Sequence, residues 1–141
     1  MIIENKPFLK ECHSPGSCEM CGKACREREP HHAVITRGAS GSDTWINIVL
    51  LGHTQSHQCQ CHFRVDCKEG RDECLRIIAK RHKCSVDDIE AANVFIKNRL
   101  DKHDPEAKLA DKIVTAVGNG TLTTVAAQLV ETALMQAGKI K

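Results

Sequence analysis

The sequence predicts an α+β protein. A cysteine- and histidine-rich half with two short strands, residues 1–70, is followed by an all-helical half, residues 71–141. Three observations predict it. Metal-capable side chains crowd residues 12–67, two β-branched or apolar runs of strand length lie at residues 31–36 and 45–51, and a helical rhythm with recognisable caps begins at Arg71.

A chain of 141 residues is about the length of one domain. Three Phe, one Trp and no Tyr leave the core to Ile, Leu, Val and Ala. The net charge of +2 is too small to argue nucleic-acid binding by itself and too small to oppose it. Nine cysteines cannot all pair within the chain. The first nine residues carry Glu4 and Lys6 and no apolar core, so no secretory signal is expected, and no apolar run approaches a membrane span. The expectation is a reducing compartment, where clustered cysteines hold metal rather than form disulfides.

In chain order, residues 1–11 read as an arm or short edge element. Pro15-Gly16 forces a turn, and Cys18-Glu19-Met20-Cys21-Gly22 reads as a zinc knuckle: two thiols two residues apart grip one ion where a glycine lets the chain turn. Cys12 and Cys25 could be alternative ligands or plain thiols. Residues 31–36 (HHAVIT) suit a strand, residues 37–42 (RGASGS) a loop, and residues 45–51 (WINIVLL) a second strand or buried segment. Residues 52–61 are polar and irregular, and a helix begins near Cys61. Cys74, Leu75, Ile77 and Ile78 set a helical period with basic residues between them. Ser85 caps a helix carrying Ile89, Ala92, Phe95 and Ile96, reaching about residue 101. Pro105 opens the next helix, residues 118–120 break it, Thr121 caps the last, and Gly138 closes it.

The order Cys18-x-x-Cys21, His31-His32, Arg37-Gly38, Asn47 before Ile48-Val49, then Cys61-His62 resembles the HNH endonucleases, the ββα-metal nucleases widespread in phages and prophages. The likeness covers about half the chain. It implies an HNH ββα-metal core with a structural zinc site, followed by a helical C-terminal region. It also implies a DNA substrate, a bacterial cytoplasmic setting and encoding by a phage or prophage.

By that resemblance His32 is the general base, an imidazole taking a proton from water. Asn47 holds the loop and base in place. Arg37 holds a phosphate. His31 and His62 bind one catalytic divalent cation, a Lewis acid for the phosphate. Asp66 stands where the family often has a histidine; a carboxylate one turn after His62 suits Mg²⁺ or Mn²⁺, with Zn²⁺ or Ni²⁺ as alternatives. Cys18, Cys21, Cys59 and Cys61 form the structural Zn²⁺ set, although the second pair is spaced Cys-x-Cys, and His53 or His57 could replace a ligand.

The same residues also fit plainer roles. Asn47 could simply turn the chain, Asp66 and Arg37 could be solvated, and the run at residues 80–83 could be a solvated basic face. Cys67, Cys74 and Cys84 suit small apolar packing or free thiols. The competing reading is a non-enzymatic zinc module that binds DNA or protein, in which His32 would be dispensable. The C-terminal helices could complete the core, pair with a second copy or dock a phage protein.

Overall fold

The computed structural model describes residues 1–52, 59, 61–65 and 67–141, the side chains of residues 63 and 64 excepted. Asp66, His53 and His57 lie outside the described residues. The fold is α+β with small antiparallel sheets. Helix α1 (Lys6–Cys12) leads to a hairpin of β1 (Gly16–Ser17) and β2 (Ala24–Cys25). Strand β3 (Arg28–His32) pairs antiparallel with β4 (Ile48–Gly52), and α2 (Cys61–Arg64) follows. The helical half comprises α3 (Lys68–His82), α4 (Val86–Arg99), α5 (Glu106–Gly118) and α6 (Thr124–Gln136).

The arm expected at residues 1–11 is in large part helix α1. Its signal was local: the Asn5 side chain accepts the Phe8 N–H at 3.2 Å, and Pro7 sits in the first turn. The first strand lies earlier than residues 31–36, because Val34 and Ile35 give their backbone groups to the Asn47 side chain instead of to a ladder. Caps in the helical half follow the sequence closely. Ser85 accepts the Asp88 N–H at 3.1 Å. Pro105 is the cap residue of α5, one place before the helix begins. Thr123, two residues beyond the expected Thr121, caps α6.

Strand β4 is the axis of the fold, buried at all five positions. With period two, Ile48 and Leu50 pack with Phe8 and Cys12 of α1, while Val49 and Leu51 face the main core. One edge of β4 pairs with β3. On the other, Glu19 N–H donates to Leu50 O at 2.9 Å, and the Glu19 carboxylate accepts the Leu50 N–H at 2.6 Å. Arg81 donates to Ile48 O at 2.9 Å. Pro30 lies opposite Leu50, where it lacks no ladder hydrogen bond because Leu50 turns its own backbone groups to Glu19.

The main core is continuous across residue 70. It joins Cys18, Val49, Leu51 and Val65 to Ile78, Ile89, Ile96, Val130 and Leu134. Each fully buried Ile or Leu contributes about 1.5–3 kcal/mol. Small residues, Ala92 on α4 and Ala126 and Ala133 on α6, let these two helices approach closely. Arg81 belongs to this framework rather than to a solvated basic face. Its guanidinium lies 4.8 Å from the Trp45 ring centroid and bonds both Glu19 carboxylate oxygens at 2.6 Å. Among the described residues, no helix is long and apolar enough to cross a membrane.

Candidate metal centre and active site

Cys18, Cys21, Cys59 and Cys61 come together. Their sulfurs all lie within 4.8 Å of one another, and all but Cys21 are buried. A tetrahedral zinc with bonds near 2.3 Å would set its sulfurs about 3.8 Å apart, so a small contraction closes the set around one ion. The knuckle is shaped for this: Gly22 has φ 75°, and its N–H donates to Cys18 O at 2.8 Å. The thiols are electrostatically unequal. Burial raises Cys18, but N–H groups of Cys21, Gly52 and Met20 and the Cys59 thiol outweigh that and bring it down to about 7. Burial first, and then the neighbouring Cys21 and Cys18, push the Cys61 thiol up. Cys12 and Cys74 are ordinary buried thiols, raised chiefly by burial to about 11 and about 12.

Gly52 is needed here for close approach rather than for backbone freedom. A β-carbon on it would overlap the Cys59 sulfur and lie 3.0 Å from Cys25 Sγ. Gly52→Ala is therefore expected to lower metal affinity by at least about tenfold, equivalent to about 1.4 kcal/mol. Competition with a chromogenic chelator measures this.

The histidine residues of the expected site lie along β3 and the start of α2. His31 lies on β3 and His62 on α2, their rings edge to face with centroids 5.5 Å apart. His62 Nδ1 is hydrogen-bonded to Glu29, two residues before His31 on the same strand. An ionised carboxylate only accepts, so a bond donated by Nδ1 would leave the Nε2 lone pair open. Among the described residues the four cysteines are the one group placed to hold a metal ion; His31, His62 and Glu29 do not form a second.

His32, the last residue of β3, makes a second carboxylate–imidazole pair. Its Nε2 lies 2.8 Å from Asp43 Oδ1, with both side chains buried. Asp43 is held in turn by the Asn5 N–H at 3.0 Å.

Asn47, fully buried, ties the loop between the strands. Its Oδ1 accepts from Val34 N at 3.1 Å and Ile35 N at 2.9 Å, and its Nδ2 donates to Ile35 O and Ser42 O, each at 3.0 Å. That loop carries Asp43 to His32.

His31 and His32 open on a cleft of about 710 Å³ whose rim includes Lys68, Arg71 and Thr36. Arg37 is not on it. It begins a short 3-10 turn, Arg37–Ala39, and lines a separate cavity of about 280 Å³ with Lys6 and Asp43. The structure thus sets His31 beside His62 and on one cleft with His32, supports His32 through Asn47 and Asp43, and sets Arg37 apart. Glu29 and Asp43 were missed in the sequence. Glu29 stands two residues before the histidine pair, a weak signal; Asp43, eleven residues on, gave none.

Compared with known proteins, the chain matches no family model, no curated protein and no solved structure.

Proposed function

We propose that the chain is a metal-dependent DNA endonuclease of HNH type. The observation that carries this reading is that His31, in ring contact with His62, lines one cleft with His32, whose imidazole is fixed by a buried carboxylate. Consecutive strand residues project to opposite sides, so neighbouring histidines can divide ligation from proton transfer. His31 and His62 would hold the cation, with Glu29 orienting His62. When bound, that cation supplies Lewis-acid stabilisation of the phosphate and the leaving oxygen. His32 Nδ1 takes the proton of the attacking water, and Asp43 stabilises the imidazolium that forms. The phosphodiester is hydrolysed to a 5′-phosphate and a 3′-hydroxyl. Lys68 and Arg71 on the cleft rim suit backbone phosphates better than Arg37 does, so binding would be largely independent of sequence. Zinc in the four-cysteine set would have a structural role, clamping the knuckle to the end of β4.

Supercoiled-plasmid nicking in Mg²⁺ or Mn²⁺ tests this. His32→Ala is expected to lower the rate by about 10²–10⁴ while circular dichroism and metal content stay unchanged. Undiminished cleavage by the folded variant sinks the general-base assignment. A wild-type protein that binds metal but cleaves nothing in any divalent cation favours the non-enzymatic zinc module.

A further inference from the structure

A fifth thiol, Cys25, lies beside the four-cysteine cluster at Gly52. We propose that Cys25 is a reserve thiolate of that centre and takes the place of Cys59 in the coordination sphere. The inference rests on the reading of the four-cysteine cluster as a metal site; it is independent of the nuclease reading.

Its basis is Gly52. The space a β-carbon would fill on this residue is bounded by the Cys59 and Cys25 sulfurs, the latter 3.0 Å from that point. The two sulfurs therefore lie against the same face of one α-carbon. The N–H of the same residue is hydrogen-bonded to Cys18. A glycine at the end of β4 thus seats Cys18, Cys59 and Cys25 together.

Cys25 is buried in the same apolar cluster as Cys18, Cys59 and Cys61. Its backbone is fixed by pairing with Gly16 in the β1–β2 hairpin, one residue from the strand end that leads into Cys18. Its S–H donates to Lys23 O at 3.3 Å, a weak bond that is readily given up. Cys12, the other cysteine before β3, cannot serve in this way. It packs with Phe8, Ile48 and Leu50 on the opposite face of β4.

Cys59 is the ligand to be replaced because of its spacing. Cys59 and Cys61 are separated by one residue, shorter than the two to four that let a turn present both sulfurs to one tetrahedral ion. Zinc has no directional preference from its d-electrons, so exchanging one thiolate for another carries no electronic penalty. In this exchange the Zn–S(Cys59) bond breaks as a Zn–S(Cys25) bond forms. The Cys25 proton passes to the freed Cys59 thiolate or to solvent, and no oxidant is required.

The test uses the full chain loaded with Co²⁺, whose thiolate charge-transfer absorption scales with the number of bound sulfurs. Wild type, Cys25→Ser, Cys59→Ser and the double variant are compared, with zinc affinity measured by chelator competition. Cys25→Ser is expected to match wild type. Cys59→Ser is expected to keep one metal per chain, four-thiolate intensity and an affinity within about tenfold of wild type. The double variant is expected to show three-thiolate intensity and at least about 100-fold weaker binding. The proposal is overturned if Cys59→Ser alone shows three-thiolate intensity, matches the double variant or fails to fold. A wild-type protein that binds no metal overturns the underlying metal reading instead, so the two failures are distinguishable.

Discussion

Asn47→Ala is expected to destabilise the fold by about 4 kcal/mol, the largest effect of a single substitution outside the cysteine set. The side chain is fully buried and makes four hydrogen bonds to the backbone of a loop with no ladder of its own. Truncation strands two N–H donors and two C=O acceptors. A buried group left unsatisfied costs roughly 1–3 kcal/mol, and partial relaxation of the loop keeps the sum below the arithmetic maximum. The urea midpoint should fall by about 2 M for a slope near 2 kcal/mol/M. Asn47→Asp is the sharper probe: it keeps the acceptor for Val34 and Ile35 but turns the donor to Ile35 O and Ser42 O into a second acceptor. A loss close to that of Ala would show that the donor half carries the loop, whereas a shift below about 1 kcal/mol in either variant would refute the accounting. Because the loop delivers Asp43 to His32, cleavage should fall in both variants even under conditions where they stay folded.

Metal removal is expected to have the other large effect. Chelation, or Cys18→Ser, should lower the melting temperature by at least about 10 °C, an estimate that takes 1 kcal/mol as roughly 2–4 °C for a chain near this size. Small zinc domains derive most of their folding energy from the ion. Here a continuous core would remain, so partial rather than complete unfolding is expected. The pH dependence follows from the thiols. Cys18 is lowered from an ordinary 9.0 to about 7 in the folded, metal-free chain. The stability carried by its thiolate is therefore complete above pH 9 and lost as pH falls to about 7. Metal uptake must displace the protons that remain, so affinity rises with pH. Proton release per metal, followed by pH-stat or calorimetry in buffers of different ionisation enthalpy, should decrease as pH rises through 7. A melting temperature unmoved by chelation would remove the structural role from the four cysteines.

The parts of this fold that could be read in the sequence are those whose signals are short-range. The Ser85 cap lies three residues from the N–H it satisfies. The Cys18–Cys21 pair declares itself by spacing, and the alternation across β4 lies within one run of five residues. What could not be read depends on partners far apart in the chain. Glu19 meets Arg81 across 62 residues, and Glu29 meets His62 across 33. The displaced strand has the same origin: residues 33–36 have strand-like composition, but one buried asparagine outcompetes the ladder for the backbone of Val34 and Ile35. Arg37 was placed by its position in a motif, and the 3-10 turn it begins directs it to another cavity.

The outer side of β4 has one more consequence. Arg81 at Ile48, Glu19 at Leu50 and Cys18 at Gly52 together occupy the hydrogen-bonding positions that a further strand would need. The Ile-Val-Leu-Leu run behind them is the type of segment that recruits a neighbouring chain into cross-β pairing when its flank is bare. Two of the three guards, Glu19 and Cys18, belong to the cysteine knuckle. An ion held by the four cysteines would brace that knuckle against β4, and its removal is then expected to raise the tendency to self-associate.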